Sequence, residues 1–366
     1  MHQSPFNYQS PVKPPIFISR DLELDFLRKN ILYNNESVIL SGLNAVGKSS
    51  TILTFLSELT QNENSNRVKI FSVRIVMTQF YRSLQTDFLS IMTHEMVANI
   101  WTKVLRKDYS LLLEETFLNP GEESNISKHI NKLKRIYKIV SSESLSSKGE
   151  TFNEIGGKAI ISGKISNTKE YSMTRKPLQT FEFMLLLDEL MEILSDFGYT
   201  KILFFCDDLN HLPPNINYDL FSTYLDVFSS KQILFAFTAN DIKNNYDSSD
   251  VVDMNILINS FGKNISIGPF SSKEEVNKLI CNSLSQSEVS EIEFDDDCQS
   301  QIFDITEGYP YFIARLCDNL FFEAYTNKID VISSTLINKY TKPFTKALEF
   351  YKQHEGRIPV LELKYR

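Results

Sequence analysis

Short apolar runs recur along the chain in the manner of buried β-strands. Their length and their content of β-branched and aromatic residues are typical of the strands of a parallel sheet, which is covered on both faces. The strands predicted in this way are SVIL at 37–40, VKIFSVRIV at 68–76, ILFFCDD at 202–208, ILFAFTAND at 233–241 and the short NISI at 264–267.

Apolar residues at helical spacing fill most of the chain between these strands. The clearest case is LQTFEFMLLLDELMEILSDFGYT, 178–200, which closes on a glycine that favours a helix C-terminus. Further helices are predicted within 17–31, 51–59, 79–115 and 218–229, and only helical segments follow Ser271. The pattern predicts the α/β class: a parallel sheet flanked by helices, followed by a small all-helical domain.

The amino-acid composition changes between about 119 and 178, where Asn, Ser, Gly and Lys become frequent. The segments FNEIGG and KAIISGKIS indicate a hairpin interrupted by glycine. We interpret this stretch as a Lys-rich insertion between the second and third core strands. The predicted organisation is a flexible leader at 1–15, a core domain at 16–268 that carries the insertion, and a helical domain with a C-terminal segment at 269–366.

Composition narrows the class of protein. The 366 residues are 42% apolar, which suffices for a sizeable core in one large or two medium domains. The first fifteen residues lack the apolar run of a signal peptide, and no stretch of about 18 apolar residues occurs. The four cysteines show no C-x-x-C spacing, which argues against a disulfide framework or a zinc site. We therefore expect a cytoplasmic globular protein that does not associate with membranes.

Charge is distributed unevenly along the chain. The net charge is -8, yet residues 126–176 contain 11 basic and 4 acidic side chains, so this segment is positive by 7 and the remainder negative by 15. Two interpretations stay open. The segment is either a solvated hairpin and helix whose lysines face the acidic body, or a docking arm for nucleic acid or an acidic partner. Few aromatic residues accompany the lysines, so only a sequence-independent nucleic-acid contact is supported.

One loop between a predicted strand and a predicted helix has the spacing of a phosphate-binding motif. In ILSGLNAVGKSSTILTF, 39–55, Gly42, Gly47, Lys48 and Ser49 match G-x-x-x-x-G-K-[ST], the P-loop or Walker A motif. Glycines let consecutive N–H groups turn inward, and the following helix directs its positive end at the same point. Lys48 is predicted to reach the β- and γ-phosphates, and Ser49 to ligate Mg²⁺. The predicted nucleotide-contacting residues of the loop are Gly42, Leu43, Asn44, Ala45, Val46, Gly47, Lys48, Ser49 and Ser50.

Two carboxylates, Asp207 and Asp208, end the buried strand ILFFCDD. Ligands of open parallel sheets sit beyond the carboxyl ends of the strands, so this pair is expected to face the same crevice as the P-loop. By this Walker B interpretation Asp207 holds Mg²⁺ through water, and Asp208 positions or deprotonates the attacking water. The alternative is a solvated turn or a cap for the next helix.

The next apolar strand ends in Thr238 and Asn240, two side chains able to bind the γ-phosphate or the lytic water. Asn240 is the preferred candidate, and a simple turn is the alternative because Asn favours turns. The predicted catalytic set is Lys48, Asp208 and Asn240. NKID at 327–330 matches the guanine-selecting N-K-x-D, but it follows helical sequence and not a buried strand. Adenine is therefore the predicted base.

Several motifs in order resemble the STAND and archaeal-type P-loop ATPases, which are related to AAA+ and origin-recognition ATPases. These motifs are the P-loop, an extra strand before the carboxylate strand, FISRDLEL with Arg20 and Glu23, the DD pair, PFSSKEE at 269–275 and GYP at 308–310. The resemblance covers about 16–320 and implies ATP or ADP bound between the α/β domain and a helical lid. It also implies that Pro310 lies near the base or sugar and that the segment around Arg20 flanks adenine.

Some positions depart from the pattern of that group. Ser19 stands where glycine is usual, and no arginine occurs between Arg175 and Arg315, so an arginine finger is missing there unless Lys243 or Lys263 substitutes. Arg315 is either a sensor in the lid or an ordinary surface or ion-paired residue.

The sequence as a whole predicts a slow Mg²⁺-dependent ATPase that acts as a nucleotide-controlled switch. Self-association or a protein partner is expected to supply the missing arginine. The rival hypotheses are a DNA-associated ATPase of the loader or transposition type, and a nucleotide-dependent interaction module without turnover.

Overall fold

The structure is a computed structural model, and it describes residues 4–6, 11, 17–18, 20–61, 68–80, 84–113, 125–141, 160–161, 164–165, 177–209, 214–230, 232–239, 262–286, 292–354 and 356–359. The chain forms two compact units. Unit 1 consists of Met1–Tyr81 and Lys201–Arg366, and unit 2 consists of Arg82–Thr200. The predicted boundaries of leader, core and lid stay predictions.

The described strands and helices are numbered in chain order. The strands are β1 Ser37–Ser41, β2 Ile70–Val76, β3 Ile160–Ile161, β4 Lys164–Ile165, β5 Lys201–Asp207, β6 Ile233–Thr238, β7 Gly262–Ser266, β8 Glu293–Phe294 and β9 Val331–Ile332. The helices are α1 Asp21–Leu27, α2 Lys48–Gln61, α3 Leu84–Asn99, α4 Ser110–Leu113, α5 Asn125–Val140, α6 Thr180–Asp196, α7 Pro214–Thr223, α8 Leu225–Phe228, α9 Lys273–Ser285, α10 Asp296–Thr306, α11 Pro310–Asn327 and α12 Ser334–Gln353. Two π-helical turns, Arg28–Asn34 and Ile100–Val104, extend α1 and α3.

Unit 1 is built on a five-stranded sheet in the order β2-β5-β6-β1-β7, and every strand pair in it is parallel. The predicted parallel sheet is therefore confirmed. Its strands β1 and β6 are buried along their whole length, which explains the uninterrupted apolar runs VIL and ILFAF within them. One face packs against α1 and α2 through residues such as Leu27, Phe55 and Phe205. This sheet places the carboxyl ends of five strands along one edge.

The second core of unit 1 lies among the C-terminal helices α9 to α12. The predicted helical part after Ser271 is confirmed, and it also contains the short parallel pair β8–β9. Phe6 from the N-terminal segment belongs to this core: its ring is 4% exposed and lies 5.8 Å from Phe294 and 6.2 Å from Phe321. Leu43 of the P-loop and Tyr309 pack against both cores. The two cores are thus continuous at the loop.

Unit 2 lies between β2 and β5 in the sequence, as predicted for the Lys-rich insertion, and contains helices on both sides of that stretch. The predicted hairpin at KAIISGKIS is confirmed by the antiparallel pairing of Ile160 with Ile165, while FNEIGG lies outside the described residues. Three basic residues of α5 face acidic residues of α6. Lys132 pairs with Glu192 at 2.6 Å, His129 with Asp196 at 3.1 Å, and Arg135 with Glu189. Among the helices that the structure describes, none has the length and apolar character of a bilayer span.

Candidate nucleotide-binding site

The predicted phosphate loop connects β1 to α2, and both of its glycines have positive φ. Gly42 has φ 143° and Gly47 has φ 102°. A Cβ at Gly42 would lie 2.3 Å from the carbonyl oxygen of Ile267, so only glycine fits there. At Gly47 the space beside Cα is open, and the backbone conformation alone requires glycine. The helix predicted at 51–59 begins earlier, at Lys48, because the end of the motif itself forms the first helical turn.

Lys48 is positioned by the loop that it follows. Its ammonium donates hydrogen bonds to the carbonyls of Gly42 at 2.7 Å and Leu43 at 2.8 Å, and the residue is 6% exposed. The first N–H groups of a helix have no acceptor within the helix, so the start of α2 provides donors beside this cation. A positive charge and a row of backbone donors therefore meet at one point.

Asp207, the last residue of β5, is the centre of a hydrogen-bond cluster and is 1% exposed. Its Oδ1 accepts hydrogen bonds from Ser49 Oγ at 2.7 Å, Thr238 Oγ1 at 2.8 Å and the backbone N–H of Asp208 at 3.2 Å. These donors come from α2, β6 and the residue after β5. The structure therefore brings together Ser49 and Asp207, the two residues predicted to hold Mg²⁺.

Arg74 completes this cluster, and sequence reasoning did not identify it. Its Nη2 lies 2.5 Å from Oδ2 of Asp207, and its guanidinium carbon lies 5.5 Å from the ring centre of Phe205. In the sheet Arg74 pairs with Phe205, and Val76 pairs with Asp207. Arg74 thus reaches diagonally to the neighbouring strand, two residues beyond its own partner in the register. The available signal was a lone cation in the otherwise apolar end of VKIFSVRIV.

Asp208 lies just beyond β5 in a left-handed conformation, with φ 66°. Its backbone N–H donates to Thr238 Oγ1 at 2.9 Å. The hydroxyl of Thr238 therefore links the two aspartates, a role different from the phosphate contact considered for it from the sequence. Asn240 and Lys243 lie outside the described residues, so their predicted roles stay predictions.

Arg20 is buried at 6% exposure and joins the P-loop to the segment after β7. Its Nη2 donates to the carbonyls of Val46 at 3.0 Å and Gly268 at 2.8 Å, and its guanidinium lies 4.9 Å from the ring centre of Phe270. Burial lowers the pKa of Arg20, and the nearby Glu23 opposes that effect. The guanidinium of Arg20 therefore holds the backbone around the loop. Ser19 lies outside the described residues.

The two short motifs PFS and GYP contact each other. The N–H of Phe270 donates to the carbonyl of Gly308 at 2.8 Å. Gly308 has φ 75°, and a Cβ there would lie 2.2 Å from the carbonyl oxygen of Phe270. Pro310 opens α11 directly after Tyr309. This close approach explains the glycine of GYP and positions Pro310 at the start of a helix.

The last described helix of unit 1 reaches the phosphate loop, a contact that sequence reasoning also missed. The hydroxyl of Tyr351 donates a hydrogen bond to the carbonyl of Asn44. A Cβ at Gly356 would lie 2.8 Å from the backbone nitrogen of Asn44. Burial raises the pKa of the Tyr351 hydroxyl well above its usual value, so it remains a donor. In the sequence, Tyr351 is one apolar position among many in an amphipathic helix and carries no distinguishing signal.

The remaining cations considered from the sequence have partners elsewhere. Arg315 donates to the hydroxyl of Tyr311 at 2.7 Å and lies over its ring at 5.8 Å. Lys263 lies 3.7 Å from Glu36. These contacts favour the ordinary structural interpretation of Arg315 that the sequence left open.

The solved structures that share the fold of this chain include two with TM-scores of 0.50 or more. A Walker-type ATPase of Pyrococcus abyssi matches with a TM-score of 0.51 and 13% identity, over 96% of this chain and 79% of that chain. The ORC2 protein of Aeropyrum pernix, solved as ADPNP and ADP complexes, matches with a TM-score of 0.50 and 10% identity, over 94% of this chain and 73% of that chain.

No protein-family model matches the sequence, and no curated protein matches it. The likeness to the two structures therefore establishes the fold, and the resemblance predicted from the sequence is confirmed at that level. The chain has the fold of the P-loop ATPases.

Proposed function

We propose that unit 1 binds ATP with Mg²⁺ and hydrolyses it slowly, as a nucleotide-controlled switch. The observation that carries this proposal is the meeting of Lys48, Ser49 and Asp207 at the start of α2. Lys48 stands beside the loop carbonyls, and Ser49 lies 2.7 Å from Asp207. These residue types at the end of a glycine-bounded loop suit a nucleotide triphosphate and its metal.

The oxygen donors of the site fit Mg²⁺. Ser49 offers a hydroxyl as a direct ligand and Asp207 a carboxylate that would accept from a metal-bound water, and hard oxygen groups of this kind are the ones that this ion prefers. When bound, Mg²⁺ neutralises charge on the phosphates and orients them. The residues of the chain then divide the work: the loop from Gly42 to Ser50 holds the phosphates, and Lys48 supplies positive charge to them.

Asp208 is proposed to position or deprotonate the attacking water. Its fixed backbone, bonded to Thr238, places it one residue beyond the proposed metal ligand. Asn240 is proposed to assist in holding that water. Pro310 and the segment around Arg20 are proposed to border adenine and its sugar. For Arg20 the guanidinium is engaged with backbone carbonyls, so its contribution to that border is to hold the backbone in place.

The slow rate follows from the distribution of arginine. The sequence contains no arginine between Arg175 and Arg315. Arg315 itself donates a hydrogen bond to the hydroxyl of Tyr311. An arginine that stabilises charge on the transferred phosphate contributes about 10³ to 10⁵ in rate. A second copy of the chain or a protein partner is proposed to supply it.

The switch is supported by contacts within unit 1. Leu43 of the loop packs against the core of the helical part, and Asn44 contacts Tyr351 and Gly356. A change in the loop on binding phosphate therefore alters contacts with α12 and with the residues that follow it. A ligand shifts a conformational equilibrium only through such differential contacts.

The experiment that tests the proposal measures nucleotide binding and phosphate release on purified protein over a range of concentrations. We expect ATP binding that requires Mg²⁺, and turnover well below about 10 s⁻¹, the usual median for enzymes. Turnover near that value in dilute protein would contradict the slow rate. Binding without any turnover, at all concentrations, would favour the interaction module.

The DNA-associated alternative rests on the positive segment 126–176, and the described part of that segment weakens it. In α5, Lys132 and Arg135 pair with glutamates of α6, and Lys134 is buried, 5.9 Å from the ring centre of Trp101. Lys128 and Lys138 are the exposed lysines of this helix. Reversing these two charges to Glu should weaken any salt-dependent DNA binding if the arm exists. A Lys132→Glu, Glu192→Lys swap, which keeps the charge, is the control.

A further inference from the structure

The edge strand β2 contributes one charged side chain to the candidate metal site. Arg74 is the exposed position of a strand that is otherwise buried or half-buried, and its side chain is 38% exposed. The ring of Phe205, 5.5 Å from the guanidinium, lies beneath it. The guanidinium therefore has access to water on one side and to Asp207 on the other.

The two carboxylate oxygens of Asp207 have different partners. Oδ1 accepts three hydrogen bonds, from Ser49, Thr238 and the N–H of Asp208. Oδ2 accepts from Arg74 at 2.5 Å. A hydrated metal ion that approaches Asp207 needs an acceptor for its bound water, and Oδ1 is already occupied by protein donors. Oδ2 of Asp207 is the oxygen left for the metal-bound water, and Arg74 occupies it.

We infer that Arg74 is a positioning residue that competes with hydrated Mg²⁺ for Oδ2 of Asp207 and so sets the metal concentration at which the site fills. The inference rests on the proposed function. Asp207 is 1% exposed and fixed by three further donors, whereas the side chain of Arg74 is 38% exposed. When the two separate, the arginine is the partner that moves, because water can solvate it.

A purely structural role for Arg74 predicts something different. In that case the ion pair only stabilises the edge of the sheet, and its removal lowers stability without changing the metal dependence. Competition predicts that the metal dependence does change: removing the guanidinium lowers the Mg²⁺ concentration at which the site fills. Since a partly exposed ion pair contributes modestly, the expected shift is roughly fivefold.

The experiment follows binding of a fluorescent N-methylanthraniloyl-ADP as a function of Mg²⁺ concentration, with an EDTA arm. The variants are Arg74→Gln and Arg74→Lys. Arg28→Gln is the matched control, because the side chain of Arg28 is 37% exposed and pairs with Glu58 at 2.8 Å and Asp25 at 2.5 Å, neither of which belongs to the Asp207 cluster. Thermal unfolding of each variant reports stability separately.

We expect the Mg²⁺ concentration at half-maximal nucleotide binding, the midpoint, to fall roughly fivefold in Arg74→Gln. In Arg74→Lys the midpoint should lie between those of the parent and Arg74→Gln, and in Arg28→Gln it should equal that of the parent. An unchanged or raised midpoint in Arg74→Gln, or nucleotide binding by the parent that is independent of Mg²⁺, overturns the inference and leaves nucleotide binding intact. If the parent binds no nucleotide, either with Mg²⁺ or with EDTA, the proposed function is overturned and the inference with it.

Discussion

The hydroxyl of Tyr351, in the last turn of α12, donates a hydrogen bond to the backbone carbonyl of Asn44 in the phosphate loop. The two residues are 307 positions apart in the sequence. Gly356 adds a second contact, since its Cα faces the backbone nitrogen of the same residue. The loop is therefore held from outside by the end of the last described helix, and its conformation depends on that helix.

Removing this hydroxyl should loosen the loop. Tyr351→Phe keeps the ring contacts with Tyr309 and Phe312 but leaves the carbonyl of Asn44 without this donor. We expect the free energy of unfolding to fall by about 1 kcal/mol and nucleotide affinity to fall about threefold, because the loop is less preorganised. Chemical denaturation and equilibrium binding measure the two effects.

Tyr340→Phe is the matched control for that variant. Its hydroxyl is also on α12 and donates to Glu323 at 2.6 Å, away from the loop. A similar loss of stability with unchanged nucleotide affinity is expected. Equal losses of affinity in the two variants would show that the loop contact has no special role.

Lys48→Ala should abolish nucleotide binding while the fold remains. The lysine supplies charge to the phosphates, and within the protein it makes two hydrogen bonds to loop carbonyls. In a thermal-shift experiment, Mg-ATP should raise the unfolding temperature of the parent and leave that of the variant unchanged. An equal rise in both proteins would falsify the assignment of the loop.

The two aspartates should show separate defects. Asp208→Asn suits the left-handed backbone, which Asn tolerates well, and it is expected to bind ATP while hydrolysing it at least tenfold more slowly. Asp207→Ala should lose the Mg²⁺ dependence of binding and also stability, because Arg74, Ser49 and Thr238 all lose their acceptor. Phosphate release and Mg²⁺ titrations separate the cases. Full turnover in Asp208→Asn would move the base to another residue.

Gly308→Ala should disrupt the contact between the PFS and GYP motifs. The added Cβ would meet a backbone carbonyl at 2.2 Å at a positive φ, so a loss of about 3 kcal/mol or more is expected in the free energy of unfolding. Gly268→Ala is the control in the same region, because its φ is not positive and no atom lies within 4 Å of its added Cβ. A change within about 0.5 kcal/mol is expected there. Similar losses in both variants would mean that the close approach is relaxed at little cost.

Local patterns predicted the strands, the phosphate loop and the aspartate pair. The loop is recognisable because its chemistry depends on spacing within eight residues, and β6 because a strand buried on both faces must be apolar throughout. Arg74 was missed for the opposite reason. Its contact with Asp207 depends on β2 lying beside β5, and strand order is not encoded in either segment alone. Tyr351 likewise reaches Asn44 only through the packing of the helical core.

The strands β1 and β2 precede unit 2 in the sequence, and they do not pair with each other. In the sheet β1 lies between β6 and β7, and β2 pairs with β5. During synthesis both apolar strands therefore leave the ribosome without a partner. About 160 residues must follow β2 before β6 is complete, which at about 5–20 residues per second takes on the order of ten seconds or more. Unit 2 emerges in that interval and has time to fold first. The phosphate loop is thus synthesised well before the strands that flank β1 exist, and until then β1 and β2 are unpaired apolar segments of the kind that chaperones bind.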